Sequence, residues 1–155
     1  MKVLVFHIGP DRYALRLALV TRVLPAAALK AVPLAPDWVA GLLDLHGDAV
    51  PVLDLSRLSG FTAEQVWFDS RIILIDYIAH GAAPGTARVL GLLAEHVTGI
   101  DSIDPASLAP SGIGGAPFLG QVSGTAHGLL QLVEPGDLLA PDVRALLFQP
   151  QETAA

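Results

Sequence analysis

Apolar and polar residues alternate over the first part of the chain in the manner of β-strands. Residues 3–8 present two interleaved sets of side chains, and Gly9-Pro10-Asp11 follows as a turn signal. Residues 13–17 then alternate again. The pattern predicts a β-hairpin over residues 3–17, with a longer loop. After it, Val20–Leu24 allow one helical turn or a bent strand, and the prolines at 25, 33 and 36 exclude a long helix.

A second predicted hairpin spans residues 38–55. The apolar runs 39–45 and 49–53 flank His46-Gly47-Asp48, which has the composition of a compact turn. Pro51 cannot donate a ladder hydrogen bond, so it predicts an edge position or a bulge. Asp54 is placed to cap a short helix that ends near Leu58.

The second half of the chain repeats this plan. The predicted elements are a strand at 71–77, a loop at 80–86, a strand at 89–93, a long irregular connection at 98–117, a strand pair at 118–122 and 128–133, a closing helix at 142–148 and a tail at 149–155.

The two halves can be superposed as sequences. Residues 12–15 fall on 88–91 at an offset of 76, Val20-Thr21 on Val97-Thr98 at 77, and 38–41 on 117–120 at 79. An offset that drifts in this way is typical of a duplication with loop insertions. Two small β-barrels in one chain fit this repeat better than one large sandwich.

Composition narrows the class of protein. Of 155 residues, 52% are hydrophobic and 15% charged, with a net charge of −6 and no cysteine. Disulfides, cysteine-ligated zinc and thiol catalysis are therefore excluded, and the acidic balance argues against a nucleic-acid partner. Without a long uncharged apolar stretch or a leader pattern, we expect a cytoplasmic protein that does not insert in a membrane. The apolar excess predicts a surface for protein partners.

Catalytic motifs are absent, and no cofactor is expected. Asp44, His46 and Asp48 alternate across the hairpin turn and could hold a cation; the alternative is that Asp48 shapes the turn while the other two are solvated. Ser123 and His127 have no third partner for nucleophilic catalysis. We therefore expect neither an enzyme nor a metal site.

Residues 41–55, GLLDLHGDAVPVLDL, resemble the signature of the CheW-like adaptor family of bacterial chemotaxis, G-[VIL]-x-N-[LV]-R-G-x-[VI]-[VL]-P-[VI]-[VIL]-D-L. Residues 5–15, 89–97, 118–120 and 129–133 resemble other parts of that family, so the likeness extends over about 2–148. The signature positions are Gly41, Asp44, His46, Gly47, Pro51 and Asp54.

The resemblance implies an all-β fold of two SH3-like five-stranded β-barrels. It implies one domain over 1–148, made of two intertwined halves with a boundary near 60–70. It also implies a non-catalytic adaptor that links the cytoplasmic helical tip of a chemoreceptor to the regulatory domain of a CheA-type histidine kinase, recruited to receptor arrays at the membrane.

The resemblance further implies an apolar groove that accepts a receptor helix. Four positions fall where the family has apolar groove or strand residues: Val20, Ile72, Val97 and Ile100. For each of them, plain core packing is the alternative.

Two signature positions depart from the family. His46 stands where the family has arginine, and Asp44 where it has asparagine. A planar guanidinium that is always charged is thus replaced by an imidazole. An arginine-dependent contact with receptor or kinase is thereby in question. The alternatives are a diverged CheW-like protein that organises arrays without kinase coupling, or a small β-barrel that binds a ligand or metal. The short N-terminus and the proline-containing stretch at 23–36 resemble adaptors of Wsp-type surface-sensing pathways.

Overall fold

The computed structural model describes residues 1–60, 70–79, 87–112, 118–125 and 128–148. Within them the chain forms ten strands, three single-turn 3-10 helices and two short α-helices. The strands are β1 (Lys2–Ile8), β2 (Asp11–Arg16), β3 (Val20–Pro25), β4 (Val39–Leu45), β5 (Asp48–Asp54), β6 (Arg71–Tyr77), β7 (Arg88–Ser102), β8 (Leu108–Ala109), β9 (Leu119–Thr125) and β10 (Gly128–Val133). The helices are α1 (Leu55–Leu58) and α2 (Pro141–Leu147), and the 3-10 helices are Leu17–Leu19, Pro105–Ser107 and Pro135–Asp137.

The strands form two sheets that share β7. The sheet that we call terminal has the order β7-β1-β2-β10-β9-β8, with the last part of β7 at one edge. The inserted sheet has the order β3-β6-β7-β5-β4 and uses the first part of β7. The all-β architecture of two SH3-like subdomains is thus confirmed.

β7 passes from one sheet to the other near His96. Up to Ala94 it pairs with β6, and from Glu95 it pairs with β1. The pairing with β1 jumps from Glu95 to Gly99, and His96 within this bulge has a φ of 46°. A bulge bends a strand and increases its twist, which allows one strand to serve two sheets.

Each half of the chain contributes strands to both sheets. β5 of the first half pairs in parallel with β7, at Val52 and Gly91, and β10 of the second half pairs in parallel with β2, at Leu132 and Ala14. The predicted boundary near residues 60–70 falls between β5 and β6, which belong to the same sheet, because the halves exchange strands.

The two C-terminal hairpins of the halves share one register. Val39 pairs with Leu53 in the first hairpin, and Leu119 pairs with Val133 in the second. Next to each of these pairs the strand register shifts by one residue. The amide of Asp54 donates to the carbonyl of Trp38, and Glu134 donates to Phe118, each over 2.7 Å. Equivalent residues of the two hairpins are therefore 80 positions apart beside the bulge, and the offset of 79 predicted for this segment was wrong by one residue.

Three apolar cores hold the sheets together. The smaller two fill the sheet interiors, one around Val3 and Leu130 and the other around Ile72 and Val50. The largest, which we call the seam core, lies between the sheets, and its members on β1 and β6 are Leu4, Phe6, Ile8, Ile73, Ile75 and Tyr77. Most of the buried apolar residues therefore lie between the sheets, where burial contributes roughly 25 cal/mol per Å².

Several predicted elements are confirmed. β6 covers 71–77 as predicted, α2 overlaps the predicted closing helix and begins one residue earlier, and Asp54 caps α1. Of the two forms predicted for residues 20–24, the structure has the strand, as β3, and a 3-10 turn over Leu17–Leu19 precedes it. The loop at 80–86 and the tail at 149–155 lie outside the described residues.

Two predictions about connections were wrong. The 3–17 hairpin has a two-residue turn, since Ile8 pairs with Asp11. The supposed irregular connection at 98–117 instead holds the end of β7, a 3-10 helix and β8 within its described part. Polar residues of this segment pair with β1 at a sheet edge, where tertiary pairing overrides a weak strand pattern.

Candidate functional site

Val20 and Val97 occupy equivalent positions in the two halves, 77 residues apart, and both are half-buried against the seam core. Val20 lies on β3 and pairs with Ile75, a seam-core residue. Val97 lies in the bulge of β7. Because both contact one central core, the structure places these two predicted groove residues on the seam side of their sheets.

Ile100 is 60% exposed and lies opposite Leu4 of the seam core. Its equivalent in the first half is Val23, which is 41% exposed and lies opposite Ile73. Directly opposed residues of antiparallel strands point to the same face of a sheet. Val23 therefore belongs with the three seam-side positions and was missed by the sequence analysis, although the offset of 77 that links Val20 to Val97 also links it to Ile100.

In each strand, a bulge brings two of these residues onto the seam side of its own sheet. The pairing of β3 shifts between Val20 and Arg22, so two valines three positions apart both lie opposite seam-core residues. In a regular strand, residues three apart would point to opposite faces. β7 carries its bulge at the corresponding place. Each of these two strands therefore carries a pair of apolar residues on its seam side, Val20 and Val23 on β3 and Val97 and Ile100 on β7. Within the described residues, β3 and the last part of β7 are edge strands.

Ile72 does not belong to this surface. It is 0% exposed and packs in the core of the inserted sheet with Leu74. β6 is buried on both faces, and Ile72 faces away from the seam, whereas its neighbours Ile73 and Ile75 face it. The groove assignment of Ile72 was therefore wrong, and its alternative, core packing, is what the structure has.

Gly41 is needed for a close backbone approach. It is buried with a φ of 147°, and a Cβ at this position would lie 2.6 Å from the carbonyl oxygen of Lys30. Lys30 and Leu42 exchange two backbone hydrogen bonds of 2.8 and 2.9 Å. The signature glycine thus lets the segment before β4 pair with it.

His46 and Gly47 form the two-residue turn between β4 and β5. Both have positive φ, 52° and 92°, as a hairpin turn of this length prefers. The Asp44 carboxylate accepts a hydrogen bond of 2.9 Å from the Gly47 amide and so stabilises the turn. The expectation that Asp48 shapes it was wrong, since Asp48 is the first residue of β5. The imidazole of His46 is exposed at the tip.

The polar candidates do not form a reactive site. Within the described residues no group of three His, Asp or Glu side chains is arranged to hold a metal ion. Ser123 is buried, and its hydroxyl lies 2.7 Å from that of Ser107. His127 lies outside the described residues.

Pro51 occupies a position that needs no N–H. Leu42, its partner in β4, directs its own amide and carbonyl to Lys30, so Leu42 and Pro51 form a pair without ladder hydrogen bonds. On its other side β5 pairs with β7 only from Val52 onward. Pro51 is therefore neither on an edge strand nor in the bulge, in contrast to the prediction.

Asp54 caps α1. Its Oδ1 accepts hydrogen bonds from the amides of Ser56, at 3.0 Å, and Arg57, at 3.3 Å. These amides have no partner within the helix, so the cap satisfies them. The signature carboxylate is a structural residue that ends β5 and starts the helix.

The described part of the chain thus consists of two fused β-subdomains with exposed apolar residues on two edge strands. A family model described as the CheW-like domain matches residues 2–147, nearly the whole chain. The chain therefore belongs to the CheW-like family, whose members are non-catalytic scaffolds of chemotaxis signalling, and the expectation that it is not an enzyme is confirmed.

The fold is similar to that of a solved relative. The crystal structure of the scaffolding protein TtCheW from Thermoanaerobacter tengcongensis superposes with a TM-score of 0.79 at 22% identity, covering 92% of this chain and 94% of that one. No curated protein matches the chain. Within the described residues, no helix is long and apolar enough to span a membrane.

Proposed function

We propose that this protein couples a chemoreceptor to a CheA-type histidine kinase, with the receptor's cytoplasmic helical tip bound at the seam between the two sheets. Membership of the CheW-like family supports an adaptor role in general. The observation that carries the proposal is the pair of exposed, equivalent apolar residues, Val23 and Ile100, beside Val20 and Val97.

The chemistry of this surface fits an amphipathic helix. Valine and isoleucine side chains that are half-exposed lose water on contact with a helix face that repeats apolar residues every three or four positions. Their charged neighbours in sequence, Arg22 on β3 and Asp101 on β7, lie opposite Leu74 and Val3 and so point to the other face of their sheets, which leaves the seam side apolar.

The β4–β5 hairpin is the proposed contact with the kinase regulatory domain. His46 stands at its exposed tip, where the family has arginine. A neutral imidazole offers one donor, whereas a guanidinium offers a planar fork for a carboxylate. This observation also favours a second candidate, an array-organising protein that binds receptor without coupling to a kinase.

Co-sedimentation with receptor-containing membranes separates the two candidates. The adaptor should pellet with receptor alone and should increase the amount of kinase that pellets. The array-organising protein should pellet with receptor and leave the kinase in the supernatant. Recovery of neither partner would overturn both. Recruitment to membrane-associated arrays is part of the same proposal.

A finer placement in a surface-sensing pathway is part of this hypothesis. It rests on the resemblance of the N-terminus and residues 23–36 to Wsp-type adaptors. Neither comparison supports the subgroup, so it stays a prediction.

A further inference from the structure

A cavity of about 480 Å³ lies beside the seam core. Four of its walls come from two equivalent pairs of residues, Trp38 with Phe118 and Leu58 with Leu138, each 80 positions apart. Its size is within the range of sites for small ligands, about 300–1,000 Å³. The duplication thus provides an apolar cavity with two aromatic walls.

The rest of the cavity is supplied by the second half alone. The 3-10 helix before α2 contributes Asp137, and α2 contributes Arg144. Both residues are only partly exposed, and within the described residues their side chains have no hydrogen bond or ion pair, with each other or with any other group. A ligand with complementary charges would give each of these two side chains a charged hydrogen-bonding partner.

We propose that this cavity binds a small zwitterion with an apolar body, the chemistry of an apolar α-amino acid. The guanidinium of Arg144 would hold the ligand carboxylate, and the carboxylate of Asp137 would hold its ammonium group. The apolar side chain would lie between Trp38 and Phe118. A plain carboxylate would satisfy Arg144 but leave Asp137 facing a like charge, and a plain amine would do the reverse.

This site is separate from the proposed receptor surface. None of Val20, Val23, Val97 and Ile100 lines the cavity. The inference therefore stands independently of the proposed adaptor function, and its test needs neither receptor nor kinase.

The first experiment compares three ligands of similar shape on the full-length protein. L-phenylalanine carries both charges, 3-phenylpropionate lacks the ammonium group and phenethylamine lacks the carboxylate. Binding is followed by the emission of Trp38 in a Trp67→Phe background, because Trp67 is the only other tryptophan in the sequence. Calorimetry of the wild-type protein gives the dissociation constants.

We expect L-phenylalanine to bind at least about tenfold more tightly than either analogue, since each analogue loses one charge-assisted hydrogen-bonded pair. No change in Trp38 emission and no heat with any of the three would overturn the proposal. Equal affinity for phenylalanine and either analogue would overturn the zwitterion assignment.

Two variants test the assigned roles. Asp137→Asn should bind phenylalanine and phenylpropionate equally, and Arg144→Gln should bind phenylalanine and phenethylamine equally. The matched controls are Asp48→Asn and Arg22→Gln, exposed residues that do not line the cavity. Wild-type discrimination in the cavity variants would contradict the assignment. The ligand comparison on wild-type protein decides the proposal even if a variant fails to fold.

Discussion

Thr21 and Thr98 make the same contact in the two halves of the chain. The hydroxyl of Thr21 donates to the carbonyl oxygen of Leu74 over 3.1 Å, and that of Thr98 donates to the carbonyl oxygen of Val5 over 3.4 Å. Each hydrogen bond spans the bulge of an edge strand, and that bulge places two apolar residues on the seam side of the strand. The duplication has therefore preserved the device that shapes the proposed receptor surface.

Replacing either threonine by valine should loosen the bulge. Thr21→Val removes one hydrogen bond and leaves a carbonyl to find water, so we expect a loss of about 1 kcal/mol in the free energy of unfolding. Urea denaturation measures it. Receptor affinity should fall as well, because Val20 and Val23 lose their fixed relation. Unchanged stability together with unchanged affinity would show that the bulge does not depend on the hydroxyl.

Gly41→Ala should be strongly destabilising. The new methyl group would lie 2.6 Å from the Lys30 carbonyl oxygen and 2.8 Å from the Leu29 Cβ, at a φ of 147° that alanine rarely adopts. We expect a loss of about 3 kcal/mol. Gly124→Ala is the control, since its methyl group would meet no atom within 4 Å. Equal denaturation midpoints for the two variants would contradict the close approach at Gly41.

Asp54→Ala should remove the cap of α1. Two helix amides then lose their acceptor, and we expect a cost of about 1 kcal/mol. Asp48→Ala is the control. It removes an exposed carboxylate from the same hairpin, and because this carboxylate has no hydrogen bond within the described residues, the stability should hardly change. Thermal unfolding of both variants measures the difference. If the two variants melt together, Asp54 does not contribute a cap.

Stability at high pH should depend on Tyr13. Burial, and the nearby Asp11 carboxylate, raise the pKa of the Tyr13 phenol above its ordinary value of 10.0. The unfolded chain therefore loses this proton at lower pH than the folded chain, so stability falls as pH rises through 10 toward the folded pKa. Tyr13→Phe should flatten that part of the profile. An identical alkaline loss in the variant would contradict it.

Prediction from the sequence was accurate where local residues determine the structure. Asp54 as a helix cap follows from residue type, and β6 as a strand over 71–77 follows from a near-continuous apolar run. It failed where structure depends on pairing between distant segments. Ile72 was assigned to the groove from the family resemblance, and the apolar run of β6 does not reveal which face of the strand is the seam.

The missed residue Val23 has a related cause. A bulge shifts the alternation of side chains by one, so the period of two no longer predicts which residues share a face. Its presence in β3 becomes evident only from the pairing with β6. The repeat offset of 77 was the one available signal, and it required comparing Val23 with Ile100 rather than with its own neighbours.

The central claim is tested most directly by calorimetric titration of a receptor's cytoplasmic tip into wild-type protein, Val23→Asp and Ile100→Asp. Both side chains are exposed, 41% and 60%, so the variants should fold. The control is Leu146→Asp, an equally apolar residue of α2 that is also 41% exposed. We predict at least about tenfold weaker binding for both seam variants, as expected for a charge placed in an apolar contact, and wild-type affinity for the control. Wild-type affinity in the two seam variants would contradict the account.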